Sequence, residues 1–188
     1  VTARPNTYDG LRHFLFVLPG IAVCAAIGAT WLVDLLSQRL PKGLVAAAVF
    51  LAITASLTSL AALHPYQMTY FNAFAGGVAA AADDYETDYW VSSYKEAMEW
   101  VNRASGGDPV NVLVAANPYT RVCAEYYAAP NVGIETLFSI DIGDPLPKKY
   151  RYYMATTRYG LDENFPDLPV VHVVSRQGAV FTVIKGNR

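Results

Sequence analysis

Two long apolar stretches govern what this chain can become. Phe14 to Leu36 reads FLFVLPGIAVCAAIGATWLVDLL, with one ionisable residue, Asp34, near its far end. Gly43 to Leu63 reads GLVAAAVFLAITASLTSLAAL and has none. At about 1.5 Å of rise per residue, helices of these lengths span roughly 35 and 32 Å, enough for a hydrocarbon core of about 30 Å. A buried helix of a soluble protein seldom stays apolar on every face for about six turns. A cleaved leader fits no better, because its apolar region usually runs to roughly 7–15 residues and a second stretch follows here at once. The sequence therefore predicts two membrane-crossing helices.

Only Ser37 to Lys42 (SQRLPK) separates them, so they form an antiparallel hairpin. Lysine and arginine counts in short loops set orientation. The stretch before the first helix carries Arg4 and Arg12, which leaves that helix alone undecided. Across the second helix, the link carries Arg39 and Lys42 whereas His64 to Tyr94 carries neither type. That places the link in the cytoplasm and both hairpin ends outside. Trp31 is then expected near the inner interface, and Tyr66, Tyr70 and Phe71 near the outer one as an aromatic belt. Small residues along the second helix, among them Ala46, Ala47, Ala48, Ala52, Ala55, Ser56 and Ser59, predict close packing against further helices. Val1 is not an initiator methionine, and the chain is expected to be part of something longer.

Charge is distributed to match. Lys and Arg number 14 and Asp and Glu 16, and residues 1–63 hold only Arg4, Asp9, Arg12, Asp34, Arg39 and Lys42. The asymmetry excludes one uniform globular domain. A net charge of −2 leaves no basic footprint for nucleic acid. Two cysteines, Cys24 and Cys123, exclude a disulfide scaffold and a cysteine-built zinc site.

Beyond Gly76-Gly77 and the alanine run 79–82 the texture becomes that of a small α/β domain. Ser93-Tyr-Lys-Glu96 reads as a capping box, followed by Ala97, Trp100, Val101 and Ala104 at helical spacing and stopped by Gly106-Gly107. Val110 to Ala116 (VNVLVAA) fits a strand buried on both faces. Asn117 and Pro118 open a second helix that runs to Pro130. Strands are expected at 132–138, 150–156, 170–175 and 179–185, the last two joined by a three-residue turn, Arg176-Gln-Gly178. The expected division is an outer juxtamembrane loop (1–13), a helix (14–36), a cytoplasmic link (37–42), a helix (43–63), an outer connector (64–90) and the extracytoplasmic α/β domain (91–188).

Several residues invite chemistry, and each has a plainer reading. Asp83, Asp84, Glu86 and Asp88 form an acidic cluster that could take a divalent cation. Read as a calcium loop from Asp84, however, it has Tyr89 where glycine belongs and Lys95 where the closing glutamate belongs. A solvated connector is the preferred reading. After the strand at 110–116, AANPYT has none of the glycines that bring backbone to a pyrophosphate, which argues against nucleotide binding. Cys123 reads as a small core residue, His172 as a structural histidine among valines, and Asp34 as a group that reaches water or pairs with Arg39.

The strongest constellation lies where the hairpin's two ends meet one membrane face. Tyr8-Asp9-Gly10-Leu11-Arg12-His13 enters the first helix, and His64-Pro-Tyr66-Gln-Met-Thr-Tyr70-Phe-Asn72 leaves the second. Arginine's planar fork of donors suits a phosphate; the plainer reading is that Arg12 and His13 anchor a helix end. The string YDGLRHFLFVLPG, followed by HPYQMTYFNAFAGG and YETDYW, resembles the C-terminal part of bacterial polytopic glycosyltransferases. These are relatives of the dolichyl-phosphate-mannose–protein mannosyltransferases and of lipid A aminoarabinose transferase (family 39, GT-C fold). The likeness covers residues 8 to about 100; beyond residue 105 no motif is recognised.

The resemblance implies transfer of a sugar from a polyprenyl-phosphate donor on the extracytoplasmic face of the bacterial plasma membrane, without a bound nucleotide. Arg12 and His13 would then bind the donor phosphate, with Tyr8, Asp9, His64, Tyr66, Tyr70 and Asn72 as further substrate-binding candidates. The family's catalytic carboxylate lies in its first outer loop, which has no counterpart here, so the chain alone is expected to be inactive and to depend on the other helices of its parent. The rival class is a membrane-anchored binding or sensor module that uses residues 91–188.

Overall fold

A computed structural model describes residues 15–115, 118–137 and 145–186. The chain divides into two compact units, with the boundary between Ala55 and Ser56. In the first, helix α1 (Leu18–Ser37) is followed by a tight turn in which Arg39 and Leu40 donate backbone bonds to Leu36. Pro41 ends that turn, and its carbonyl accepts from Leu44 and Val45 as helix α2 (Lys42–Ala62) begins. The two apolar helices have mean hydropathies of 2.1 and 2.2 and are long and apolar enough to cross a membrane. No residue of α1 is buried against protein, and in α2 only Val45 is. The Thr30 hydroxyl donates back to the carbonyls of Ala26 (3.1 Å) and Ile27 (2.9 Å), which hides its polarity within the helix. Asp34 lies in the last turn of α1.

The second unit is a mixed α/β sheet with helices. Helices α3 (Gly77–Asp84), α4 (Tyr94–Ser105) and α5 (Pro118–Tyr127) accompany five strands: β1 (Val110–Ala115), β2 (Val132–Leu137), β3 (Tyr152–Thr156), β4 (Val170–Arg176) and β5 (Ala179–Gly186). The sheet order is β2-β1-β3-β5-β4. β1 is parallel to β2 and β3, while β5 runs antiparallel to β3 and β4. Alternation along β1 and β3 sends Val110, Val112, Val114, Tyr152 and Met154 into one core with the helices. Leu113, Ala115, Tyr153 and Ala155 enter a second core, closed by Phe165 with Leu161 and Leu168. The central strands are thus apolar on both faces, as the VNVLVAA run predicts.

Four expectations need correction. Ser93 stands at the N-terminus of α4, but its side chain makes no cap. Asp88 does that work, accepting from the backbone N–H of Ser92 (2.8 Å) and Ser93 (2.9 Å), while the Ser93 hydroxyl turns to Asp88 and to Thr182. The β4–β5 loop has two residues rather than three: Arg176 pairs with Ala179, and Gln177 (φ 50°) and Gly178 (φ 86°) both lie at positive φ, the signature of a type I′ turn. The strand expected from residue 150 begins at Tyr152. Finally, the segment expected as a connector is part of the core. Leu63, Tyr66 and Val78 are buried with Phe181 and Ile184, and α3 was not foreseen at all.

Candidate functional site at the base of the sheet

The segment His64 to Asn72 leaves α2 and folds against the β4–β5 turn. Tyr66 is 2% exposed and sets its ring edge on Phe181, with centroids 5.3 Å apart. Its hydroxyl donates to Glu96 Oε2 at 2.7 Å. Arg176 reaches the same oxygen through Nη2 (2.6 Å) and the other carboxylate oxygen through Nη1 (3.4 Å). The guanidinium also lies 4.9 Å from the Tyr66 ring centroid. Gln177, next in the turn, donates from Nε2 to the backbone carbonyl of Ser59 at 2.8 Å. The turn is therefore tied both to the last turns of α2 and to the residues that follow them.

Charge is settled within this cluster. Burial by itself would raise the Glu96 carboxyl, but the hydrogen bonds from Arg176 and Tyr66 outweigh it and hold the carboxyl below its usual range. Burial first, and then the Glu96 carboxylate, push the Tyr66 phenol upward, so it stays protonated and donates. Arg176 is held more firmly protonated by Glu96. A neutral phenol, a carboxylate and a guanidinium that satisfy one another make a structural clasp. Tyr66→Phe removes one arm, and the expected loss is about 1–2 kcal/mol of unfolding free energy. Denaturant titration checks this: an unchanged midpoint would mean that the hydroxyl contributes nothing to the clasp.

Of the residues expected to bind donor or substrate, Tyr8, Asp9, Arg12 and His13 lie outside the described residues. The others are close in sequence but face different ways. His64 is exposed and its Nδ1 meets Gln67 Nε2 at 2.8 Å. Tyr66 is committed to Glu96, and Tyr70 is half-buried against the core. Asn72 Oδ1 accepts from the N–H of Ala75 (3.1 Å), capping a short 3₁₀ turn. The expected aromatic belt also needs correction. Leu63 and Tyr66 lead the chain inward from the end of α2, and Tyr70 and Phe71 pack behind them. The exposed apolar side chains here are Met68 (73%) and Phe74 (103%).

The acidic cluster is dispersed. Glu86 pairs with Arg158 Nε at 2.9 Å, and that guanidinium lies 4.0 Å from the Tyr89 ring centroid. Asp88 is buried on the start of α4, and Asp84 is exposed. Among the described residues, no three His, Cys, Asp or Glu side chains converge on a point that would hold a metal ion. Cys24 and Cys123 are free thiols. Burial, followed by the charge of Asp88, raises the Cys123 thiol, which makes it a poorer nucleophile.

An open cleft of about 410 Å³ lies between α4 and the sheet, lined by Trp100, Ala104, Arg151, Tyr152 and Val171. His172 stacks on Trp100 with ring centroids 5.0 Å apart and planes 6° from parallel. Its Nε2 is buried without a hydrogen-bond partner. Burial depresses the imidazole's pKa below its ordinary 6.5, with Arg103 acting in the same direction and Glu96 opposing both. A depressed histidine stabilises the fold above its unfolded pKa, and that contribution is lost as pH falls through the folded value. Stability should therefore begin to fall below about pH 6.5, and His172→Gln should flatten that part of the profile. Thermal melts across pH 5–7.5 read this directly, and a mutant profile parallel to the wild type would contradict it.

The Glu96–Arg176 pair escapes sequence reading because its members are 80 positions apart and each has a plausible local role, one as a capping residue and the other as a turn flank. Comparison of the chain with protein-family models, with curated proteins and with solved structures found no match.

Proposed function

We propose that this chain is the C-terminal segment of an integral membrane glycosyltransferase of inverting type, which transfers a sugar from a polyprenyl-phosphate donor on the extracytoplasmic face of the plasma membrane. The observation that carries the reading is the pattern YDGLRHFLFVLPG, a second apolar helix, then HPYQMTYFNAFAGG and YETDYW. These motifs flank two helices of membrane-crossing length. On this reading α1 and α2 are transmembrane, their link is cytoplasmic and residues 64–188 are outside. Arg12 and His13 hold the donor phosphate, and the catalytic carboxylate belongs to an earlier outer loop of the parent. The partners are membrane lipid, the lipid-linked sugar and the parent's remaining helices.

Support also comes from the way HPYQMTYFN is built. It forms part of the sheet's own core and clasp, so the residues that leave the second span are held in one arrangement, as a donor site beside them requires. The test is transfer by the intact parent protein in detergent. Incubated with polyprenyl-phosphate hexoses and pentoses and a membrane acceptor fraction, it should release free polyprenyl phosphate. Absence of release across such a donor panel, with the protein folded, would overturn the reading in favour of a membrane-anchored binding module, for which the Trp100 cleft is the natural seat.

A further inference from the structure

From Gly43 to Ala82 the chain carries no Asp, Glu, Lys or Arg, although α2 ends at Ala62. The uncharged run thus continues for 20 residues past the helix, into the folded α/β unit. Its inward side is accounted for: Leu63, Tyr66, Thr69, Val78 and Ala81 are buried. Its outward side is not. Met68 and Phe74 project from two short 3₁₀ turns, and Ala73, Ala75, Ala79 and Ala80 are exposed around them. A surface built for water would carry charge here. The exposed apolar stripe on α5 does: Tyr119, Val122 and Tyr126 are interleaved with Arg121 and Glu125, an ion pair at 2.7 Å.

We infer that residues 67–82 form an interfacial membrane element. It seats the outer face of the unit in the boundary between headgroups and acyl chains, with Phe74 and Met68 on the acyl side. The argument for lipid as the occupant is continuity: the element starts five residues after an apolar helix of membrane-crossing length and repeats its lack of charge. Chain of this kind lies in the interface plane with its apolar side chains roughly 5–10 Å below the headgroup level. Phe74 is the deepest point, because its ring touches nothing in the protein that shields it. The inference rests on the transmembrane reading proposed above.

The test uses the intact chain in phosphatidylcholine–phosphatidylglycerol vesicles, on a Cys24→Ala, Cys123→Ala background with one nitroxide-labelled cysteine at a time. Labels replace Phe74 and Met68, with Phe50 in α2 as the membrane reference and Tyr126 in α5 as the aqueous one. Collision with oxygen, which concentrates in lipid, is compared with collision with a water-soluble nickel chelate. Labels at 74 and 68 should favour oxygen over the chelate relative to the label at 126, with 74 the deeper of the two. If 74 meets the chelate as freely as 126 while 50 is shielded, the inference fails and the transmembrane reading stands. If 50 itself meets the chelate, both fail. Shielding of 74 from both reagents would place protein, the parent's other helices, over this surface and would equally overturn the inference.

Discussion

Arg12→Ala in the intact enzyme is expected to lower turnover about 10²–10³-fold, or about 3–4 kcal/mol of transition-state stabilisation, the usual cost of losing one fixed donor to developing charge. The expectation follows from the proposed reaction. When sugar leaves a polyprenyl-phosphate donor, the phosphate gains negative charge as the glycosidic bond breaks. A guanidinium beside it is therefore worth more in the transition state than in the bound ground state, and only that difference accelerates the step. Arg12 stands two residues before the first apolar stretch, and on the proposed reading a lipid-borne phosphate would sit beside it while its tail stays in the bilayer. Arg12→Lys should restore part of the rate, because it keeps the charge and loses the planar fork. Expression and membrane insertion should be unchanged in both variants. Turnover near the wild-type rate in Arg12→Ala would identify the residue as an interfacial anchor.

The largest effect on folding is expected from Phe181→Ala. The ring is fully buried on β5, against Tyr66 from the segment that follows α2. Its neighbours cannot collapse into the space. Tyr66 is held by Glu96, and the next residue of the strand, Thr182, meets the Ser93 hydroxyl at 2.6 Å. A cavity that stays open costs about 3–5 kcal/mol for a lost phenylalanine ring, a large share of the roughly 5–15 kcal/mol that holds an ordinary domain together. Denaturant titration followed by tryptophan fluorescence measures this, since Trp90 and Trp100 lie in the same unit. A loss below about 1 kcal/mol would mean that the site repacks and the clasp is not rigid.

Elements governed by local rules were legible in the sequence. The two apolar helices, the glycine stop at Gly106, the buried run at Val110 and the closing hairpin all fell close to where pattern placed them. What failed was decided by distant partners. Ser93 and Glu96 satisfy the capping-box spacing, but Asp88, Thr182, Tyr66 and Arg176 offer them stronger bonds in the fold. Tyr66 looks like an interfacial tyrosine until β5 presents Phe181 to its ring. Helix α3 hides in an alanine run whose inward residues, Val78 and Ala81, are too few to give a clear period. For the candidate site the result is mixed. The sequence placed His64, Tyr66, Tyr70 and Asn72 together, but not the inward turn that gives Tyr66 to the core and leaves Met68 and Phe74 outside.

The burial of Leu63, Tyr66 and Val78 beneath the sheet, together with the bond from Gln177 to Ser59, also bears on how this protein can be cut. A protease needs several residues of extended, accessible backbone, and surface domains are commonly shed through a loose stalk above the bilayer. Here the stretch between the second apolar helix and α4 is itself folded, with its 3₁₀ turns, α3 and the Asp88 cap leaving little slack. Trimming at residue 90 is expected to destabilise the α/β unit, because Phe181 and Ile184 would lose Leu63, Tyr66 and Val78 from their shared core. A fragment that keeps this core intact would therefore have to include the final turns of α2 as well as the residues that follow them.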